Sequence, residues 1–181
     1  MKKLLHFISK IYRISLHHKK QESLVWKDLK QTHHKSEWKS GVYEKERYIE
    51  TVFTISEEKA ASFYYFIHEG SLHCRVKVLE NFSPEITTDI FVLASHFNNL
   101  LVNGIVKVDA VNQYVEYDQK LDLLVLLLYR GEIKRLISTH YFTAKDVSAA
   151  FDRLITEQEA PAIIIADLLK KKESKNQDNP E

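Results

Sequence analysis

Glycine is scarce in this chain: four in 181 residues, at positions 41, 70, 104 and 131, against an average usage of about 7%. A Walker loop needs two glycines in one short segment, and a dinucleotide fingerprint needs three, because the backbone must turn tightly beside phosphate. Four isolated glycines can write neither. Cysteine occurs once, as Cys74, which excludes an intrachain disulfide, a cysteine-based zinc cluster and a redox pair. Long hydrophobic runs are also missing. The longest, Leu123–Tyr129, is core-sized and far short of the 18 or so residues that span a bilayer. The opening Met1-Lys2-Lys3-Leu4-Leu5 imitates a secretory signal, but His6, Lys10 and Arg13 interrupt the apolar stretch and no small-residue cleavage site follows. These absences point to a cytoplasmic protein without an evident cofactor or metal.

The chain is rich in aromatics, with nine Phe and nine Tyr, enough to fill one sizeable core. Its net charge of +1 conceals an asymmetry. Residues 1–40 hold ten Lys/Arg and three Asp/Glu, a net of +7, and five of the nine histidines. Within them Leu4, Phe7, Ile8, Ile11 and Ile14 recur at helical spacing, which predicts a basic amphipathic helix over 2–18. Lys2, Lys3, Lys10, Arg13, Lys19 and Lys20 are the candidate contacts to a polyanion, either nucleic acid or an anionic membrane surface. The alternative is that this arm packs on its own body.

The expected organisation is a basic arm and connector over 1–45, a single α+β domain over 46–170 and a disordered tail over 171–181. Residues 19–45 read as a short helix plus loop anchored by Trp26 and Trp38. Residues 47–55 read as a strand. Ser62–His68 and Ser71–Val78 flank Glu69-Gly70, a two-residue hairpin turn that pairs Ile67 with Leu72, Tyr65 with Cys74 and Phe63 with Val76. One face is then apolar: Phe63, Tyr65, Ile67, Leu72, Cys74, Val76 and Val78. The other carries Tyr64, Phe66, His68, His73, Arg75 and Lys77. Ser83-Pro84-Glu85 starts a helix that ends at Asn103-Gly104. A strand pair follows around Val111-Asn112. Leu121–Tyr129 reads as a buried strand turning at Gly131 into a hairpin with 133–141, although its leucine content leaves a helix open. Thr143 and Pro161 open the last two helices. The fold class is α+β, an antiparallel sheet with helices mainly on one face, in the order α-βββ-α-β(2–4)-α.

That order, with Leu93–Asp109 at its centre, resembles the YbjN-like family, which shares its fold with type III secretion chaperones. Asn98 or Asn99 and the Gly104-Ile105-x-x-Val108 strand entry carry the resemblance, which covers residues 47–170. It implies a non-enzymatic module that holds a protein or peptide segment, often as a homodimer.

Tyr64, Phe66, His68, His73, Arg75 and Lys77 form the leading candidate surface, since aromatics among basic groups clamp an extended peptide or stack on bases. A helix covering Tyr64 and Phe66, most simply residues 2–18, is the competing reading. Other constellations are weaker. His33 and Glu37 have i, i+4 metal-ligand spacing, with His17 and His18 nearby, but without a fixed geometry. Cys74 falls on the apolar face, away from His73. Asp109, Glu116, Asp118 and Asp122 lie near strand ends, where charge guards sheet edges. His96, Asn99 and Asn103 share the polar side of the central helix. No nucleophile–base–oxyanion set and no small-molecule site emerges.

Overall fold

The computed structural model describes residues 2–57 and 59–177, with side chains described from Leu4 to Lys170 apart from positions 6 and 58. Six strands hydrogen-bond in the order β1-β2-β3-β4-β6-β5, in an antiparallel sheet: β1 Ser40–Tyr43, β2 Tyr48–Thr54, β3 Ala60–His68, β4 Ser71–Glu80, β5 Ile105–Asp109 and β6 Tyr114–Asp122. The helices are α1 Lys2–Ser15, α2 His18–Lys35, α3 Thr87–Leu100, α4 Leu123–Leu128, α5 Gly131–Thr156 and α6 Pro161–Gln177. The α+β class with helices packed on the sheet is therefore the observed fold. The chain divides into two compact units. One comprises the residues up to Val76 with Asp118–Thr143; the other comprises Lys77–Tyr117 with the residues from Ala144 onward.

In the first unit, the β3–β4 hairpin has the expected register: Phe63 faces Val76, Tyr65 faces Cys74 and Ile67 faces Leu72. Glu69 and Gly70 both have positive φ, 47° and 73°, which matches the right-handed twist of the strands they join. Phe63, Tyr65, Leu72, Cys74 and Val76 are fully buried. Two helices cover this face. His33 of α2 sets its ring edge-on to Tyr65, and His140 of α5 sits edge-on to Phe63. The helix expected within residues 19–45 is α2, longer than expected at 18 residues, and the loop after it contains strand β1. Two tryptophans anchor this segment: Trp26 Nε1 donates to Glu44 at 3.0 Å, and Trp38 packs edge-on to Phe53.

The segment after β6 departs from the expected strand hairpin. Asp122 caps a helix by accepting from Leu124 N–H at 2.6 Å, so the leucine run becomes α4. Leucine favours a helix once a cap is present; it lacks the β-branching that suits a strand. Gly131 opens α5 rather than turning a hairpin, and Thr143 lies inside that helix rather than starting one. Ile133, Leu136, Ile137, His140 and Ala144 lie on one buried stripe, the i, i+3, i+4, i+7 pattern of a single helix.

In the second unit, Ser83 caps the chain before Pro84, a short 3-10 turn follows, and α3 then runs to Leu100. Gly104 has φ 90°, a conformation that suits glycine. Asn98 does the work of a neighbouring strand for β5: its side chain donates to Val106 C=O at 2.9 Å and accepts from Val106 N–H at 2.7 Å. Phe97 stacks on Phe151, and Ser148 Oγ donates to Val78 C=O, closing this unit's core. Helix α6 continues to Gln177, past the expected start of the tail at 171; residues 178–181 lie outside the described residues.

Candidate functional site

The face of the first unit's strands opposite the buried one is ordered by register. Tyr43 lies opposite Tyr48, Tyr48 opposite Phe66, and Phe66 opposite His73, so four rings form one row across β1, β2, β3 and β4. Tyr43 and Tyr48 stack with centroids 4.3 Å apart, and Phe66 and His73 stack at 5.2 Å with planes 9° apart. A Cβ at Gly41 would meet the Tyr43 ring at 3.1 Å, so the glycine lets that ring lie along its own strand. The next row holds Glu50, Tyr64 and Arg75 in register. Tyr64 Oη donates to Glu50 at 3.1 Å; the Arg75 guanidinium lies 4.8 Å over Phe66 and its Nε donates to Asp118 at 3.3 Å. Asp118 also lies 3.6 Å from His73 Nδ1.

This face is accessible at its tyrosines, whereas the His73 side chain is only 12% exposed. Tyr43 is 40% and Tyr64 37% exposed, and Phe66 is half-buried by its own neighbours His73 and Arg75. Burial pushes the His73 imidazole below its ordinary pKa; Asp118 pulls it the other way and Arg75 lowers it further. His68 is exposed beside Glu69 at the hairpin turn. Five of the six expected surface residues, 64, 66, 68, 73 and 75, are thus brought together. Lys77 belongs to the second unit, where its ammonium sits 4.5 Å over the Tyr114 ring and 3.3 Å from Glu80. Tyr43, Tyr48 and Glu50 were missed as members of this surface. The alternation of residues 48, 50 and 52 along β2 was the available signal.

The basic arm is arranged differently from an open row of cations. Arg13 is buried and pairs with Asp28 at 2.5 Å, and Arg130 reaches the same carboxylate at 3.3 Å. Lys10 lies 4.2 Å over Tyr129. Ser9, Lys10 and Arg13 line a cleft of about 430 Å3 against residues 127–132. Lys19 and Lys20 are exposed at the start of α2, and the side chains of Lys2 and Lys3 lie outside the described ones.

Several of the remaining candidates have structural partners, whereas His96 Nε2 is buried without one. His33 Nδ1 is 3.0 Å from Ser40 Oγ and 3.2 Å from Thr51 Oγ1, and burial lowers its pKa to about 4. Glu37, its expected helical neighbour, lies beyond the end of α2 with φ 56°. Asp109 caps its own turn through the Val111 and Asn112 N–H groups. Asp122 caps α4, and Glu116 lies 3.9 Å from Lys107. Burial raises the Cys74 thiol pKa well above its usual range, with Asp118 adding to it. Among the described residues no group of three His, Cys, Asp or Glu is placed to hold a metal, and no helix is long and apolar enough to cross a membrane. No protein-family model matches the chain, and no curated protein is significantly similar to it.

Proposed function

We propose that this protein is a cytoplasmic, non-enzymatic binding module that holds an extended polypeptide segment across the Tyr43–Tyr48–Phe66–His73 row, as a chaperone or adaptor does. One observation carries this reading. Four rings are held in register on the side of the strands opposite the helix-covered core, with Tyr43 among them and Tyr64 in the next row exposed. Flat rings on a rigid sheet lose little entropy on binding, and the neighbouring Arg75 adds a cationic clamp for an acidic or aromatic residue. The resemblance read from the sequence over residues 47–170 to the YbjN-like family points to the same class of function. Selection of displayed random peptides on the immobilised protein tests it. The reading expects enriched aromatic and acidic segments whose affinity falls about tenfold in Tyr43→Ala and Tyr64→Ala, the size of a lost aromatic anchor. Peptides that bind these variants and the parent equally would contradict it.

A further inference from the structure

Helix α1 is turned the wrong way for an amphipathic helix packed on its own protein. Its buried side is polar: Arg13 pairs with Asp28, and Lys10 stacks on Tyr129. Its apolar side faces solvent. Leu4, Leu5, Phe7, Ile8, Ile11 and Tyr12 are all between 47% and 65% exposed. At 100° per residue these six span about 160° of the helix surface, a continuous stripe far larger than scattered surface apolar residues. An ordinary surface helix buries its apolar stripe and shows its charges. Here, one ion pair and one cation–π contact hold the stripe outward.

Charge decides what meets this stripe. Residues 1–20 contain six Lys/Arg and no Asp or Glu; with Arg13 paired to Asp28, five cations are left. A second copy of the chain docked on the same face would set these two cationic segments against each other, at a cost. A nucleic acid would satisfy the cations and leave six large apolar side chains in water. An anionic lipid surface satisfies both: the apolar stripe enters the acyl boundary, and Lys19 and Lys20, exposed immediately after the helix, remain at the headgroups. We infer that α1 is an interfacial helix that docks the first unit on anionic membrane surfaces, lying in the plane of the bilayer without crossing it. The inference is independent of the ring row on the strands, and Tyr43→Ala/Tyr64→Ala is expected to leave it intact.

Vesicle flotation of the full chain tests it, comparing phosphatidylcholine vesicles with vesicles containing phosphatidylglycerol. Binding is expected to the anionic vesicles and to weaken with salt. Phe7→Glu/Ile11→Glu is expected to lose it by about tenfold or more, because both the apolar stripe and the local charge change. Lys19→Glu/Lys20→Glu is expected to lose a similar factor, since each basic group near an anionic surface contributes about fivefold. All four positions are solvent-facing, so circular dichroism and the thermal midpoint should match the parent. A Phe7→Trp variant gives a direct readout: its fluorescence should be quenched by lipids brominated on their acyl chains. Absence of flotation at low salt, or flotation unaffected by Phe7→Glu/Ile11→Glu, would overturn the inference. So would a dimer abolished by that variant with no vesicle binding, or tighter binding to a DNA duplex than to the vesicles.

Discussion

The Arg13 guanidinium and the Asp28 carboxylate, both buried, meet at 2.5 Å and fix α1 against α2 with its apolar stripe outward. Breaking a buried pair by removing one partner costs about 3–5 kcal/mol, because the survivor is left uncompensated away from water. For a peripheral helix, release into solvent relieves that cost. Asp28→Asn should therefore speed amide exchange across residues 8–14 by about a hundredfold, while Phe63–Val76 amides keep their protection. Uniform acceleration of all amides would show instead that α1 belongs to the core.

His33 makes the first unit sensitive to mild acid. Burial holds its folded pKa near 4, whereas the unfolded chain takes up the proton near 6.5. Between those values the unfolded state binds more protons, so stability falls as pH falls and is unaffected by this group above the window. The full difference is on the order of 3 kcal/mol. Urea melts from pH 8 to pH 4 should show the parent losing about that much more than His33→Gln. Parallel pH profiles would contradict the assignment.

Asn98 supplies two hydrogen bonds to the Val106 backbone. Asn98→Asp sets a carboxylate against a carbonyl and removes a donor, and should cost about 1–3 kcal/mol by urea melting. Asn99→Asp, one residue on, should cost under about 0.5 kcal/mol as an ordinary exposed change. Equal effects would remove Asn98 from its role as the partner of β5.

Cys74 is fully buried with a raised pKa. A thiol reagent at pH 8 should label it only as the protein opens, at a rate that rises with urea. Rapid labelling of the native protein would contradict its burial.

The sequence was most legible where local chemistry and period agreed. The Glu69-Gly70 turn and the alternation on each side of it specify the hairpin register residue by residue, and Ser83-Pro84 marks the start of the central helical region. It was least legible where a hydrophobic run had no period. Leu123–Leu128 is apolar on every side, so only the Asp122 cap separates helix from strand. Gly131 then looked like a turn because that strand was expected before it, although the stripe from Ile133 to Leu154 runs unbroken through Thr143. The ring row was half legible: Phe66 and His73 follow from the hairpin, but Tyr43 and Tyr48 require β1, a four-residue strand with no sequence signal of its own. The outward turn of α1 lies beyond pattern reading altogether. Amphipathicity says that a helix has two faces; the Arg13–Asp28 pair decides which one is buried.

Photo-crosslinking from position 64 reports on what the ring row holds. A photoreactive phenylalanine replaces Tyr64 in one version of the full chain and Phe142, an exposed ring on α5, in another. Discrete polypeptide adducts are expected in cells from position 64, weakened by Tyr43→Ala and absent from position 142. Equal adducts from both positions, or none from position 64, would contradict polypeptide binding by this row.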